Sequence, residues 1–258
     1  MAISEIKVTE AIIKTFTDKF LNALELDVAI VGGGPSGLVA AYVLAKGGAK
    51  VALFERKLSI GGGMWGGGIG YNVIVVQKEA KRILDKFEIS SKKYDDQYYV
   101  ADSVESVAKL IVKAMDAGAK IFNLIHVEDV VAKEGKVCGL VINLTPIEMA
   151  RLHVDPVTIG SKFVIDATGH AAEVVNIIQK KVGPLHTESK AVVGEKSMWA
   201  EQGEKFVVER AGEVFPNVYV AGMAVGAVVG GPRMGPIFGG MLLSGERVAK
   251  LILERLKL

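Results

Sequence analysis

Short apolar runs and longer amphipathic stretches follow one another along this chain. Runs typical of buried strands lie at residues 27–31, 50–54, 120–125, 162–165 and 217–222. Apolar positions spaced three and four apart predict helices at residues 3–24, 76–86, 103–117 and 241–256. Strands that interleave with helices in this way indicate an α/β fold, in which a ligand lies at the carboxyl ends of the strands.

Two alternating stretches depart from this order. Residues 127–132 and 136–144 flank a short connection of Lys133, Glu134 and Gly135, and the pattern predicts a β-hairpin. We therefore expect a small β-rich insertion over about residues 120–165 within a single domain of residues 1–258.

The ends of the predicted helices carry further signals. The helix at 103–117 begins after a capping pattern that runs from Asp102 to Glu105. The helix at 3–24 has one apolar stripe, and we expect it to pack in front of the first strand. Residues 145–160 are the least regular part of the chain, and loops of that length are either functional or disordered.

The strongest local signal is a βαβ unit at residues 26–56. Its first strand ends in a glycine turn that satisfies G-x-G-x-x-G through Gly32, Gly34 and Gly37. In this motif the first glycine permits the tight turn, the second lets the backbone approach a pyrophosphate, and the third lets the helix lie close to the strand. Glu55 ends the second strand, about 20 residues further on, where a ribose-binding carboxylate belongs. The unit predicts an adenine dinucleotide site.

A second glycine-rich stretch follows at residues 59–71. It contains too much glycine for a regular element, and a flexible linker is one interpretation. Met64, Trp65 and Tyr71 favour another, because large apolar residues inside a glycine loop indicate a segment that wraps over a ligand or a partner subunit.

Composition narrows the classes of protein. The 31 basic and 29 acidic residues nearly cancel, so charge gives no reason to expect a nucleic-acid partner. Every long apolar stretch is interrupted by glycine, proline or charge, and no secretion signal is recognisable, so we expect a cytoplasmic protein without a membrane partner. The only cysteine, Cys138, lies in a strand pattern, where a small buried residue is its ordinary role.

Four features together resemble known families, namely the glycine turn, the ends of two strands and the motif at residues 230–236. The glycine turn with Glu55, the strand that ends in Asp166-Ala-Thr-Gly-His170, and the strand at 217–222 are similar to flavoproteins of the glutathione-reductase type. Such flavoproteins usually end the last strand in Gly-Asp, whereas Met223 follows Gly222 here. The motifs at 152–156, 168–170 and 230–236 more closely resemble the thiamine thiazole synthase family, which has the same dinucleotide-binding fold.

The resemblance implies a reaction. Members of this family convert NAD, used as a substrate, with glycine and a sulfur source into an adenylated thiazole carboxylate, and they release nicotinamide. In many members the sulfur comes from a cysteine just before a Val-Asp-Pro or Met-Asp-Pro triplet, but here that position holds His153, and Cys138 lies in the preceding strand. The chain therefore resembles the iron-dependent branch that uses free sulfide.

The resemblance also assigns residues. Asp155 and His170 match the iron(II) ligands, and a sparse ligand set leaves positions open for substrate. Arg233 matches the residue that binds the glycine carboxylate, which suits a bidentate guanidinium. The positions around the ADP portion and substrate match Ser36, Glu55, Arg56, Gly63, Val127 and Met223. Family sites lie between subunits, so a homo-oligomer is expected.

Several alternatives stay open at this point. Three roles are open for His153, namely a third ligand, a proton carrier, or a residue that fills the space of the lost cysteine. An FAD-dependent oxidoreductase of the same fold is the alternative activity, and a non-catalytic NAD-binding module is a third possibility.

Overall fold

A computed structural model describes residues 3–258. The helices are α1 (Glu5–Leu21), α2 (Pro35–Lys46), α3 (Lys81–Lys86), α4 (Ser103–Asp116), α5 (Thr145–Met149), α6 (Glu173–Lys181), α7 (Ala200–Arg210), α8 (Met223–Val229) and α9 (Gly239–Leu256). The strands are β1 (Glu25–Val31), β2 (Val51–Glu55), β3 (Val73–Gln77), β4 (Ser91–Lys93), β5 (Tyr98–Asp102), β6 (Lys120–Asn123), β7 (Ile125–Lys133), β8 (Lys136–Leu144), β9 (Val157–Asp166), β10 (Gly212–Phe215) and β11 (Val218–Val220).

The central sheet contains the five strands that the apolar runs predict. They lie in the order β11-β9-β1-β2-β6, and every neighbouring pair in this row is parallel. Strands β1 and β2 are mostly apolar and buried, because α2 packs against both strands and β7 also packs against β2. The α/β class is confirmed, and the parallel row aligns the carboxyl ends of its strands along one edge.

The β-hairpin predicted before residue 145 is also present. Strands β7 and β8 pair antiparallel, and β8 continues the main sheet by pairing with β9. The connection contains Glu134 at φ 51° and Gly135 at φ 73°. Two consecutive residues with positive φ are the backbone geometry of the tight turns that match strand twist. Of the insertion predicted over about 120–165, this hairpin is the part that leaves the parallel pattern.

Helix starts follow their sequence signals. Pro35 occupies the first turn of α2, where its missing N–H costs nothing. At α4 the Asp102 carboxylate accepts the Glu105 N–H at 2.8 Å, so the predicted cap is confirmed.

The prediction of a helix at residues 76–86 is wrong for its first half. Residues 73–77 form β3, and only 81–86 are α-helical. Strand β3 belongs to a separate three-stranded antiparallel sheet in the order β3-β5-β4. Alternation in 73–77 is too short to distinguish from one face of a helix, and pairing with a distant strand decided the outcome.

Helix α1 forms where the periodicity predicts, but it does not pack as expected. None of its residues is buried, and apolar side chains such as Ile12 and Ile13 are exposed. Phe16 and Phe20 make the contact with the body of the chain, edge-on to Phe122.

Irregular residues 145–160 contain more structure than expected. The short helix α5 opens the stretch, and β9 begins at Val157, five residues before the predicted strand. The glycine-rich stretch at 59–71 contains one short 3₁₀-helix, Gly62–Gly66, with Met64 buried at its centre. In residues 3–258, no helix combines the length and apolarity needed to cross a membrane.

Candidate active site

A cavity of about 1000 Å³ lies at the carboxyl edge of the parallel sheet. The ends of β1, β2, β6 and β9 contribute Val31, Phe54, Leu124 and Ala167 to its wall. Parallel α/β sheets bind ligands at this edge because loops diverge there and helix N-termini face the opening. A cavity of this volume is large enough for a dinucleotide.

The predicted glycine turn forms one wall of the cavity. Gly32 has φ +100°, and a Cβ there would lie 2.4 Å from the Ala167 carbonyl oxygen, so β9 approaches this turn too closely for any side chain. A Cβ on Gly37 would lie 2.1 Å from the Gly32 carbonyl oxygen, as expected for the glycine that brings the helix against the strand. A Cβ on Gly34 would meet no atom of the protein and would project into open space. At Gly34 no side chain therefore separates the start of α2 from the cavity.

The Glu55 side chain is hydrogen-bonded to the glycine turn. Its carboxylate accepts the Gly33 N–H at 2.7 Å and the Lys57 N–H at 2.8 Å, and the residue is buried. Each oxygen accepts one hydrogen bond in the chain and keeps a lone pair for another. Glu55 thus fixes the turn and can also accept a ribose hydroxyl.

The other residues predicted around the ADP portion line the same cavity. Ser36 and Val127 are buried in its wall, and Gly63 lies on the 3₁₀-helix beside Gly34's loop. Arg56 is half-exposed and pairs with Glu173 at 2.6 Å and Glu148 at 3.5 Å. The hydrogen bond to Glu173 raises the pKa of the Arg56 guanidinium. Met223 lines the cavity at the first residue of α8.

A fully buried carboxylate sets the loop that carries His170. Asp166, at the end of β9, accepts the Thr168 N–H at 3.0 Å, the Thr168 hydroxyl at 2.7 Å and the Val175 N–H at 3.0 Å. Burial raises the pKa of Asp166, although these hydrogen bonds oppose the rise. Because Asp166 ties the loop to the start of α6, the short 3₁₀-helix Gly169–Ala171 presents His170 to the cavity.

His170 has a carboxylate partner that the sequence did not indicate. Its Nδ1 lies 2.6 Å from Oε2 of Glu195. An ionised carboxylate only accepts hydrogen bonds, so this contact calls for a proton on Nδ1 of His170. The sequence over residues 174–209 is mixed, with a charged, helix-like portion, and nothing in it connects Glu195 with a histidine 25 positions earlier.

Arg233 also lines the cavity, on the loop between α8 and α9. Its backbone is held by two hydrogen bonds, from its N–H to the Lys196 carbonyl at 3.3 Å and from the Trp199 N–H to its carbonyl at 3.0 Å. The guanidinium is exposed at the cavity while the backbone is fixed, an arrangement suited to holding a carboxylate.

His153 and Asp155 are placed differently from all of these residues. Residues 151–158 are exposed without exception, and neither His153 nor Asp155 lines the cavity. The segment has one side-chain anchor, the Asn143 side chain, which donates to the Val154 carbonyl at 3.0 Å, while backbone hydrogen bonds tie its two ends to α5 and β8. Within residues 3–258 no group of three His, Cys, Asp or Glu side chains gathers to hold a metal ion. Of the two predicted iron ligands, His170 lines the cavity and Asp155 does not.

Cys138 lies near the amino ends of β1 and β2, whereas the cavity lies at the carboxyl edge of the sheet. It is half-buried in β8, and its thiol contacts the Val131 carbonyl at 3.5 Å. Its neighbours in a shallow depression include Glu25, Asp27 and Lys162 rather than any residue of the cavity.

The sheet, the glycine turn and the cavity define an α/β fold of the flavoprotein-like, dinucleotide-binding type. The sequence model of the Thi4 family matches residues 9–238. Over 258 residues, 100% of both chains, the protein is 56% identical to the thiamine thiazole synthase of Methanothermobacter thermautotrophicus. It is 57% identical over 253 residues, 98% of each chain, to the thiamine thiazole synthase of Pyrococcus horikoshii.

The solved structure of Thermovibrio ammonificans THI4 has the same fold, with a TM-score of 0.98, 52% identity and 100% coverage of both chains. The chain belongs to the Thi4 family, so the resemblance found in the motifs is confirmed. The curated relatives at this similarity are thiamine thiazole synthases.

Proposed function

We propose that this protein is a thiamine thiazole synthase that makes the adenylated thiazole from NAD, glycine and free sulfide, releases nicotinamide, and uses iron(II). The observation that carries the proposal is the cavity at the carboxyl edge of the sheet. It brings the glycine turn, Glu55, His170, Met223 and Arg233 to one space, although they are spread over some two hundred positions of the chain.

The two ends of this space suit the two ends of the substrate. The N-terminus of α2 and the bare glycine turn offer backbone N–H groups to the pyrophosphate, and Glu55 offers an acceptor to a ribose hydroxyl. Arg233 offers a guanidinium to the glycine carboxylate, and Met223 presents an apolar side chain where flavoproteins carry an acid. The dinucleotide is therefore held at the ADP end, while its nicotinamide-ribose end lies among the groups proposed to react.

The choice of free sulfide rests on the absence of a cysteine thiol from the lining of the cavity. Cys138 lies away from the cavity, and His153 stands beside Asp155 where a sulfur-donating cysteine is expected in other members. A protein that does not consume its own sulfur is able to turn over repeatedly.

His170 and Asp155 would hold the iron, one through imidazole and one through carboxylate. Such a mixed nitrogen and oxygen set with open positions fits iron(II), which when bound would supply Lewis acidity to the reacting groups. His170 reaches the cavity within one chain, whereas Asp155 lies on an exposed segment. We infer that Asp155 reaches the site of a second copy of this chain.

The surface of the chain supports such an assembly. Its accessible area is 13128 Å², against about 11,000 Å² for a compact monomer of this length. The excess is partly apolar, because large side chains are exposed on α1 and beside Asp155, including Ile12, Leu152, Val154 and Met149. Exposed apolar side chains concentrated in this way are typical of an interface between subunits.

The test of the reaction is anaerobic incubation with NAD, glycine, sulfide and iron(II). We expect nicotinamide release and an adenylated thiazole in several-fold excess over protein, detected by mass spectrometry. Folded protein that yields no thiazole would refute the proposal, and flavin absorbance in the purified protein would favour an oxidoreductase instead.

The shared site is tested by mixing two inactive variants. Asp155→Ala and His170→Ala should each abolish iron-dependent product formation. If one subunit supplies Asp155 and another His170, mixed oligomers re-formed from equal amounts should regain about a quarter of the wild-type sites. Mixtures that stay inactive despite verified subunit exchange would place both ligands in one chain.

A further inference from the structure

Residues 194–199, which we call the strap, contact two residues that line the cavity, His170 and Arg233. The strap lies along the start of the Arg233 loop, where the Gly194 N–H donates to the Ala227 carbonyl at 2.9 Å and the Lys196 N–H to the Gly231 carbonyl at 2.9 Å. With the two bonds to the Arg233 backbone described above, these contacts fix the strap along its length. The backbone on both sides of Glu195, at Gly194 and Lys196, is therefore fixed by hydrogen bonds.

Glu195 projects from the strap to His170. Its side chain is only 14% exposed, and its Oε2 lies 2.6 Å from His170 Nδ1. The second oxygen, Oε1, is buried and has no hydrogen-bond partner within residues 3–258. A Cβ on Gly226 would lie 3.5 Å from Oε1, so the carboxylate lies against α8 and has little room to move.

A carboxylate at this position has a definite effect on the imidazole. A free neutral imidazole exchanges between two tautomers, and only a nitrogen without its proton can bind a metal ion. A carboxylate that accepts from one ring nitrogen selects the tautomer, orients the ring and increases the basicity of the other nitrogen.

We propose that Glu195 is the positioning residue of the site, and that it holds His170 with the proton on Nδ1 so that Nε2 is the nitrogen presented to the metal. The inference rests on the iron-binding role of His170 proposed above. Because the strap also fixes the backbone of Arg233, the groups proposed for the metal and for the glycine carboxylate are positioned by one segment.

The experiment compares Glu195→Ala and Glu195→Gln with wild type, and uses Glu201→Ala as the matched control because Glu201 is an exposed carboxylate just after the strap. Imidazole nitrogen NMR on the metal-free oligomer, at one fixed pH near 8, reads the tautomer of His170, and the spectrum of His170→Asn identifies its signals. Cobalt(II) titration, followed by visible absorption, reads metal affinity.

We expect Nδ1 to be protonated in wild type and in Glu201→Ala, and Glu195→Ala to shift towards the Nε2-protonated form. Cobalt affinity should fall about 10- to 100-fold in Glu195→Ala and less in Glu195→Gln, because the amide oxygen still accepts a hydrogen bond. Unchanged dinucleotide binding would show that the fold is retained.

Two results would overturn the inference. One is an Nε2-protonated His170 in wild type, or a tautomer that does not change in Glu195→Ala. The other is loss of metal in Glu195→Gln as complete as in Glu195→Ala with the tautomer retained, which would make Glu195 a ligand. If the tautomer behaves as expected and wild type binds no cobalt, the proposed metal site fails while the positioning of His170 stands.

Discussion

The glycine turn at residues 32–37 and the exposed segment at residues 151–158 differ in almost every physical respect. The turn is buried between β9, α2 and Glu55, and at Gly32 and Gly37 even one methyl group would collide with backbone. The segment is exposed throughout and has a single side-chain anchor, from Asn143. Both carry residues proposed for one reaction. Within one chain, the half of the proposed site at the glycine turn is enclosed by other residues, whereas the half on residues 151–158 faces the surface.

This contrast predicts that substitutions in the inner half change stability and substitutions in the outer half do not. The largest effect is expected for Gly37→Ala. Its methyl group would lie 2.1 Å from the Gly32 carbonyl oxygen, so α2 must move away from β1. We expect the free energy of unfolding to fall by at least about 3 kcal/mol and dinucleotide binding to be lost.

Chemical denaturation measures this change. Gly183→Ala is the matched control, because a Cβ there meets no atom within 4 Å, and it should change the free energy of unfolding by less than about 0.5 kcal/mol. Equal stability of the two variants would mean that the turn is not as tightly enclosed as its contacts indicate.

The second effect concerns a buried carboxylate behind the Arg233 loop. Glu204, on α7, accepts the Gly240 N–H at 2.6 Å at the start of α9. Burial raises the pKa of Glu204 to about 7 from its ordinary value of 4.5. The folded state therefore holds a proton that the unfolded state releases, and the stability that this proton supplies is lost as pH rises from about 4.5 through about 7.

Glu204→Gln removes this dependence and keeps an oxygen that accepts the Gly240 N–H. The variant and wild type should have equal stability below pH 4.5, and above neutral pH the variant should be more stable by up to about 3 kcal/mol. Thermal unfolding at a series of pH values measures the difference. Glu209→Gln, an exposed change on the same helix, should follow wild type throughout, and a parallel course for Glu204→Gln would contradict the assignment.

The smallest effect on stability is expected in the outer half. Asp155→Ala removes an exposed side chain, so the free energy of unfolding should change by less than about 0.5 kcal/mol. Iron-dependent product formation should nevertheless fall at least about 100-fold. Glu188→Ala, another exposed carboxylate, should change neither quantity. A clear loss of stability in Asp155→Ala would show that the segment is part of the fold rather than a group offered to a neighbour.

The fold was predictable where a local pattern and its tertiary environment agree. The five parallel strands, the hairpin turn at Glu134 and Gly135, and the Asp102 cap lie where the sequence predicts them. The prediction of a helix at residues 76–86 failed at its start, because residues 73–77 form a strand that pairs with β5. The prediction for the packing of α1 also failed, because periodicity shows that a helix has an apolar face but not what covers that face.

The same division applies to the site. Gly32, Gly37 and Glu55 were identifiable because a βαβ unit closes over about thirty neighbouring residues, so spacing in sequence translates directly into geometry. The sequence by itself determined this nucleotide-binding half and, through its motifs, membership of the family. Only the tertiary structure decided that Glu195 meets His170 and that Asp155 lies outside the cavity lining. The strap is placed by hydrogen bonds to α8 and the Arg233 loop, distant parts of the chain, and no periodicity along the sequence encodes such contacts.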